Sequence, residues 1–218
     1  MKNIAVLVSG GGTNLQALID AQGRGELING RITAVISSTP SAYALERAKA
    51  AGIPGYVAAR KDYPSSQAMT AALVDKLKGL DIDLVVLAGF MVILTGEMVR
   101  AFPNAILNVH PALIPSFAGP GCYGLHVHEK ALEYGVKLSG ATVHFVSEEC
   151  DGGPIVSQKA VEVLPDDTPE VLQRRIMEQC EWQLLPQAVS LFCQDRLKVE
   201  GRTVRVLEHP ECGRRNAE

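Results

Sequence analysis

Three polar residues, Asn108, His110 and Asp151, are of the types that acyl transfer to an amine requires. Asn108 and His110 are two positions apart at the end of an apolar segment, so on an extended strand their side chains share one face. Because the substrate supplies the attacking amine, the protein must stabilise a tetrahedral oxyanion and move protons. We expect Asn108 and a protonated His110 to donate to the oxyanion, and Asp151 to pair with His110. The alternative is a structural Asn-His pair at a strand end, with Asp151 capping a turn.

The glycine-rich segment SGGGTNLQALI at residues 9–19 is a second candidate site. It joins a short apolar strand to a helix, and the free N–H groups at a helix start favour an anion. The dinucleotide pattern G-x-G-x-x-G and the Gly-Lys-Ser/Thr sequence of triphosphatases are both missing, and serines follow the second strand where a ribose-binding acid is expected. We therefore predict a monophosphate site around Gly12, Thr13 and Asn14. A tight turn that binds nothing is the alternative.

The composition is that of an ordinary globular protein, with 47% hydrophobic residues in 218. The formal net charge of −3 argues against a nucleic acid backbone as the main partner. Five cysteines without a Cys-x-x-Cys pair indicate reduced thiols in a reducing compartment. The first apolar run has only about five residues, whereas roughly 20 are needed to span a bilayer. We predict a cytoplasmic protein without a membrane partner.

The order of the predicted elements indicates the fold class. Strands at residues 4–8, 32–36, 83–88 and 105–109 alternate with helices at 14–21, 42–51 and 64–78. This alternation predicts an α/β fold with a doubly wound, mostly parallel sheet, to which the strands at 139–146 and 155–164 add an antiparallel or mixed edge. A long helix at 168–192, bent near Pro186, and a terminal hairpin at 197–206 complete the chain. Ligands of such sheets bind beyond the carboxyl ends of the strands, where both candidate sites lie.

Four segments, in the same order along the chain, resemble the glycinamide ribonucleotide formyltransferase family. They are SGGGTNLQALI, VVLAGFMVIL, ILNVHPALIPSF and ECDGGPIV, and the resemblance spans residues 2–186. It implies a Rossmann-like formyltransferase fold and one domain over residues 1–218, with a phosphate-binding half at 1–104 and a catalytic and folate-binding half at 105–218. The implied reaction transfers the formyl group of 10-formyltetrahydrofolate to the amine of glycinamide ribonucleotide in purine biosynthesis.

The resemblance also implies residue roles by position. The ribonucleotide would be bound by Gly11, Gly12, Thr13, Asn14 and Glu181. Catalysis would rest on Asn108, His110 and Asp151, supported by His144 and Thr142. The folate would lie against Met91, Val92, Ile93, Leu94, Ile106, Leu107 and Val146. Val92 and Ser66 depart from the family, which usually has arginines there on the folate side.

The implied partners are small molecules only, with 10-formyltetrahydrofolate as a co-substrate, no metal and no nucleic acid, in a monomer or a homodimer. His126 and His128 could suggest a metal cluster with other histidines, but no third ligand has a defined spacing. Formyltetrahydrofolate hydrolase and methionyl-tRNA formyltransferase are the nearest alternatives; the first would lack the phosphate loop, and the second would need a further domain and a basic face. A nicotinamide-binding oxidoreductase and a non-catalytic nucleotide-phosphate-binding protein are the alternatives from other classes.

Overall fold

A computed structural model describes residues 1–208, and within them nine strands form one sheet. In chain order the strands are β1 (Lys2–Val8), β2 (Gly30–Ser37), β3 (Gly55–Val57), β4 (Leu84–Leu87), β5 (Ile106–His110), β6 (Leu138–Phe145), β7 (Ile155–Glu162), β8 (Leu197–Glu200) and β9 (Thr203–Val206). Across the sheet they follow the order β3-β2-β1-β4-β5-β6-β7-β9-β8. Cys212, the fifth cysteine of the sequence, lies outside the described residues.

The direction of the strands changes in the second half of the chain. The first five strands pair in parallel, whereas β6 pairs antiparallel with both β5 and β7. The hairpin of β8 and β9 joins the sheet through a parallel pairing of Ile155 with Thr203. The predicted mostly parallel sheet with a mixed C-terminal edge is therefore confirmed.

The helices connect the strands. They are α1 (Thr13–Gly23), α2 (Tyr43–Ala50), α3 (Ser66–Gly79), α4 (Gly96–Ala101), α5 (His126–Tyr134), α6 (Pro169–Ile176) and α7 (Trp182–Cys193), with a 3₁₀ turn at Arg60–Asp62. Side-chain oxygens cap the N-termini of α3 and α6. Ser65 accepts from the amide of Ala68 at 3.1 Å, and Thr168 accepts from the amide of Val171 at 3.3 Å.

The long C-terminal helix predicted at residues 168–192 is interrupted. A π-helical segment, Met177–Glu181, separates α6 from α7, and Pro186 lies inside α7. The irregular turn thus precedes the position predicted for the bend. Pro186 has no N–H to donate to the carbonyl of Trp182, and the wide turn lies on this N-terminal side of the proline.

Two apolar clusters cover the two faces of the sheet. Alternate residues of β1 divide between them, with Ile4 and Val6 in the cluster that contains α1 and α7, and Ala5 and Leu7 in the cluster that contains α3. Burying each large aliphatic side chain contributes about 1.5–3 kcal/mol. The packed layers hold the carboxyl ends of β1, β4 and β5 in fixed positions, and the loops that follow these ends carry the polar residues considered next.

Candidate active site

Two adjacent antiparallel strands place four polar side chains on one face of the sheet. Asn108 of β5 lies opposite His144 of β6, and His110 lies opposite Thr142. The side chains of the residues before or after these four point to the other face of the sheet. They are Leu107, Val109, Val143 and Phe145, and they are buried in the apolar core. The strand alternation therefore brings Asn108, His110, His144 and Thr142 together.

Asn108 is oriented by a hydrogen bond to a histidine of fixed tautomer. Nδ1 of His144 lies 2.9 Å from the carbonyl oxygen of Phe145. Because that oxygen can only accept, Nδ1 carries a proton, which leaves Nε2 to accept from a neighbouring N–H. The side-chain amide of Asn108 donates to this Nε2 at 3.1 Å. One amide hydrogen of Asn108 is thus committed, and the other remains for a ligand.

His110 lies between a backbone carbonyl and a carboxylate. Its Nε2 donates to the carbonyl oxygen of Phe117 at 2.8 Å, and its Nδ1 lies 3.7 Å from Oδ2 of Asp151. Burial lowers the pKa of His110, although the charge of Asp151 and the Phe117 carbonyl act to raise it. A protonated His110 in the reacting complex therefore stays a prediction, whereas in the free protein at neutral pH the lowered pKa favours the neutral imidazole. The buried ring is neutral there, and its Nδ1 is free to accept a proton.

Asp151 is presented by a tight turn between β6 and β7. The amide of Gly152 donates to the carbonyl of Glu149 at 3.1 Å, and Asp151 has a positive φ of 52°. A Cβ at Gly153 would lie 1.8 Å from the carbonyl oxygen of Phe145, so only glycine fits where this turn returns to the sheet. The chain is therefore held in a strained conformation that directs the carboxylate toward the histidines.

The carboxylate of Asp151 is ionised at neutral pH. Burial acts to raise its pKa, but His144, the amide of Gly119 at 2.9 Å and the positive charge that His110 carries once it is protonated in acid lower the pKa to about 2. Its second oxygen lies 3.7 Å from Nε2 of His144. A fixed negative charge thus faces both imidazoles.

Thr142 holds the chain that leaves β5. Its hydroxyl donates to the carbonyl of Ala112 at 2.6 Å and accepts from the amide of Ile114 at 3.1 Å and from Gln158 at 2.9 Å. These bonds occupy the hydroxyl, so Thr142 acts through the backbone of the loop and not on a substrate directly.

The glycine-rich loop between β1 and α1 has the geometry of an anion site. The helical hydrogen bonds of α1 begin when Gln16 donates to the carbonyl of Gly12 at 2.9 Å, so the amides of Thr13 and Asn14 precede them. Gly12 has a positive φ of 71°, and a Cβ there would lie 2.6 Å from that of Ala44. Gly11 is exposed beside it. Backbone N–H groups and the positive end of the helix dipole therefore meet at this turn.

Glu181 lies under this turn and contacts Asn14. The side-chain amide of Asn14 donates to Oε2 of Glu181 at 2.5 Å, across 167 positions of sequence. Both residues are buried, and burial raises the pKa of Glu181 to about 7 although the bond from Asn14 acts to lower it. The side-chain nitrogen of Asn14 is thus committed to Glu181, whereas its Oδ1 is buried without a hydrogen-bond partner.

The segment after β4 is tied to the glycine loop. The amide of Met91 donates to the hydroxyl of Ser9 at 2.8 Å, and the same hydroxyl lies 2.6 Å from that of Ser38. Met91 and Ile93 are exposed, at 52% and 79% of their surface. Two apolar side chains therefore project from a backbone that is anchored next to the anion site.

The other residues expected on the folate side are less accessible. Val92, Leu94 and Val146 are half-buried against the apolar cluster that contains the fully buried Ile106. The side chain of Leu107 lies in the core on the opposite face of the sheet, so it cannot line the same surface as Ile106. This correction follows from the strand alternation.

Three groups of the site carry no signal in the sequence. The carbonyl of Phe117 and the amide of Gly119 are backbone atoms of the loop after β5, and they contact His110 and Asp151. The hydroxyl of Ser9 belongs to the glycine-rich segment, but only the fold shows that it holds Met91.

The histidines among residues 1–208 are not grouped as metal ligands. His126 is exposed and pairs with Glu129 at 2.7 Å, whereas His128 is fully buried in α5. In the part of the chain that the structure describes, residues 1–208, no group of three or more His, Cys, Asp or Glu side chains is arranged to hold a metal ion.

Two cavities lie outside this constellation. One of about 460 Å³ is at the opposite end of the sheet, between Lys78, Asp83 and Phe102, where β4 and β5 begin. The other, of about 280 Å³, lies beside the first turns of α1 and is lined by Thr13, Gln16, Ala17, Asp20, Arg24, Arg47 and Trp182. Neither contains Asn108 or His110, because the loop after β5 covers the histidine.

Comparison with known proteins gives the family. The formyl transferase family model matches residues 2–189. A phosphoribosylglycinamide formyltransferase of Haemophilus influenzae is 45% identical over 200 residues, covering 92% of this chain and 91% of the relative. The crystal structure of glycinamide ribonucleotide transformylase 1 from Symbiobacterium toebii superposes with a TM-score of 0.90 at 48% identity, covering 95% of each chain. A formyltetrahydrofolate deformylase from Pseudomonas syringae has a TM-score of 0.83 at 27% identity, and the match covers 95% of this chain but 66% of the deformylase. The chain therefore belongs to the formyl transferase family.

Proposed function

We propose that this chain transfers the formyl group of 10-formyltetrahydrofolate to the amine of glycinamide ribonucleotide, giving N-formylglycinamide ribonucleotide and tetrahydrofolate in purine biosynthesis. The relatives named for this activity match nearly the full length of the chain. The structural observation that carries the proposal is the convergence of Asn108, His110 and Asp151, linked through His144, at the end of β5, two strands away in the same sheet from β1 and its glycine-rich turn.

The remaining hydrogen of the Asn108 amide is suited to stabilise the oxyanion that forms when the amine attacks the formyl carbon. His110 begins neutral, accepts the proton of the attacking amine at Nδ1 and becomes an imidazolium beside Asp151. The carbon–nitrogen bond to the folate then breaks, and the imidazolium returns the proton to the departing nitrogen of the folate. Asp151 keeps its negative charge throughout because its pKa is about 2.

The ribonucleotide phosphate is assigned to the backbone amides of Gly11, Gly12, Thr13 and Asn14. The absence of acidic residues from the first turn of α1 and the positive φ of Gly12 support this role. Glu181, held by Asn14 just below the turn, is assigned to the ribose side of the same ligand.

The folate is assigned to the surface formed by Met91 and Ile93, with Val92, Leu94, Ile106 and Val146 packed behind it. Exposed apolar side chains next to a polar constellation suit an aromatic pterin ring. Val92 and Ser66 stand where the family usually has arginines, and neither provides a charge for the glutamate tail of the folate. Other groups must therefore bind the tail in this chain.

The remaining expectations concern the domain, its location and its assembly. The continuous sheet supports a single domain. Its half at 1–104 is assigned to phosphate binding, and its half at 105–218 to catalysis and folate binding. Over residues 1–208 no helix combines the length and apolar character needed to cross a membrane. The free thiols of Cys122, Cys150, Cys180 and Cys193 support a reducing compartment and a cytoplasmic location. A monomer or a homodimer stays a prediction.

The test is to measure consumption of 10-formyltetrahydrofolate by the purified protein with and without glycinamide ribonucleotide. We expect consumption only when the ribonucleotide is present, with one formylated product for each folate consumed. Consumption without it would favour a hydrolase, formylation of methionyl-tRNA would favour the tRNA enzyme, and ribonucleotide binding without consumption would favour a non-catalytic phosphate-binding protein.

A further inference from the structure

Two cysteines from different loops flank Asp151. Cys122 belongs to the loop between β5 and α5, which we call the cover loop (residues 116–124), and Cys150 directly precedes Asp151. Both are free thiols; Cys150 is exposed and Cys122 is half-buried. Neither has a role in the proposed formyl transfer.

A short series of hydrogen bonds connects the Cys150 thiol to the backbone of Cys122. Oδ2 of Asp151 accepts from the amide of Gly119 at 2.9 Å and from the thiol of Cys150 at 3.8 Å. The amide of Cys122 donates to the carbonyl of the same Gly119 at 3.1 Å, which closes a turn of the cover loop above the carboxylate. Burial raises the pKa of the Cys150 thiol, and the charges of Asp151 and Cys122 act in the same direction, so Cys150 is a poor first nucleophile and the first attack is assigned to Cys122.

The backbone of the cover loop can adjust to a bond between them. Gly119, Gly121 and Gly124 all have positive φ angles, and a Cβ at Gly119 or Gly124 would meet no atom within 4 Å. Lys130 holds the turn from below, donating to the carbonyl of Gly121 at 2.9 Å and to the sulfur of Cys122 at 3.4 Å. A disulfide needs Cα atoms separated by about 4.4–6.8 Å, so the cover loop must bring Cys122 within this distance of Cys150.

The cover loop also controls access to the site. His110 is only 4% exposed and the side chain of Asp151 12% exposed, because Phe117 and Gly119 of this loop are hydrogen-bonded to them. We take the opening of these two bonds as the step that admits a substrate to the imidazole and the carboxylate. A covalent bond between the loop and residue 150 would prevent that opening.

We propose that Cys122 and Cys150 are a site of reversible oxidation, at which a disulfide locks the cover loop closed over His110 and Asp151. A low-molecular-weight disulfide such as oxidised glutathione is the oxidant. The thiolate of Cys122 attacks one of its sulfurs, forming a mixed disulfide and releasing one glutathione thiolate. The thiolate of Cys150 then attacks the Cys122 sulfur and releases the second glutathione. Two electrons pass from the cysteines to the oxidant, and the two cysteine protons end on the two glutathiones.

The experiment is to incubate the full chain with oxidised glutathione and to follow its mass, its peptide map and its formyl transfer rate. We expect the protein to lose two hydrogen atoms, with a peptide that joins Cys122 to Cys150. Activity should fall in proportion to the cross-linked fraction and return when dithiothreitol is added. The cross-link is read by mass alone, so its absence and a failure of the proposed function are separate results.

Cys122→Ser and Cys150→Ser are the test variants, each compared with its own reduced rate. Neither should lose activity on oxidation, whereas Cys180→Ala, which removes a buried thiol in the π-helical segment, should respond as the unmodified protein does. A stable glutathione adduct on one cysteine, a cross-link to Cys180, Cys193 or Cys212, or a fully active cross-linked protein would overturn the proposal.

Discussion

Asn108 depends on His144 for the direction of its amide. The two residues lie opposite each other on β5 and β6, and the Asn108 nitrogen is 3.1 Å from an Nε2 that can only accept. The tautomer is fixed in turn by the bond from Nδ1 to the carbonyl of Phe145 at 2.9 Å. The oxyanion donor of the proposed reaction is therefore set by a histidine that has no contact with the reacting atoms.

Replacing Asn108 by Ala should lower kcat by about 10²–10³, the usual effect of removing one oxyanion donor. The KM for the ribonucleotide should change little, because the phosphate is bound elsewhere. Steady-state kinetics measure both, and thermal melting serves as the folding control. Near-normal turnover in a folded variant would show that Asn108 has only a structural role.

Replacing His144 by Phe keeps the volume of the ring but removes the acceptor for Asn108. We expect kcat to fall about tenfold, since one net hydrogen bond of roughly 1.4 kcal/mol is lost. The double variant with Asn108→Ala should be less than tenfold slower than Asn108→Ala alone, because the contribution that His144 makes through Asn108 is already lost. Independent, multiplying losses in this double-mutant cycle would exclude the positioning role.

The sequence predicts those parts of the site that follow from periodicity and local backbone chemistry. Asn108 and His110 share a face because strand side chains alternate, and the glycines before Thr13 favour a tight anion-binding turn. The same alternation excludes Leu107 from the folate surface, because Leu107 stands between Ile106 and Asn108 and must point the other way. The resemblance to the family alone does not make that distinction.

The rest depends on contacts that the chain makes only after folding. The pairing of Asn14 with Glu181 crosses 167 positions, and the partners of His110 in the cover loop include a backbone carbonyl that any residue could supply. The protonation state of His110 in the free protein also depends on such contacts. It follows from the depth of burial, which opposes the charge of Asp151 and which the sequence does not give.

Asp151→Asn should remove the charge that holds the pKa of His110 up against burial. The pKa of His110 then falls further, and the imidazolium that forms during transfer loses its counter-charge. We expect turnover to drop by about 10²–10⁴. NMR titration of His110 and the pH dependence of kcat measure the two effects. Asp75→Asn, at an exposed position of α3, is the matched control and should leave both unchanged.

Glu181→Gln should stabilise the protein at alkaline pH. The pKa of Glu181 is raised by burial from 4.5 to about 7, so between these values the unfolded chain releases a proton that the folded chain keeps. The free energy of unfolding therefore falls by up to about 3 kcal/mol as the pH rises through this range. The glutamine variant does not ionise and keeps this free energy. Urea unfolding at pH 4.5 and pH 8 tests this, with the variant more stable only at pH 8. An equal difference at both pH values would contradict the ionisation argument.

His128→Leu should stabilise the protein in acid. His128 is fully buried, neither ring nitrogen has a protein partner, and burial and the charge of His110 lower its pKa from 6.5 to about 4. As the pH falls between these values, the unfolded chain binds a proton that the folded chain does not bind. The free energy of unfolding therefore decreases by up to about 3 kcal/mol, and the leucine variant avoids this decrease. Unfolding at pH 7.5 and pH 4.5 measures the difference, and His126→Leu, two positions earlier and exposed, is the matched control. If His128→Leu changed the free energy of unfolding equally at both pH values, its effect would be one of packing and not of titration.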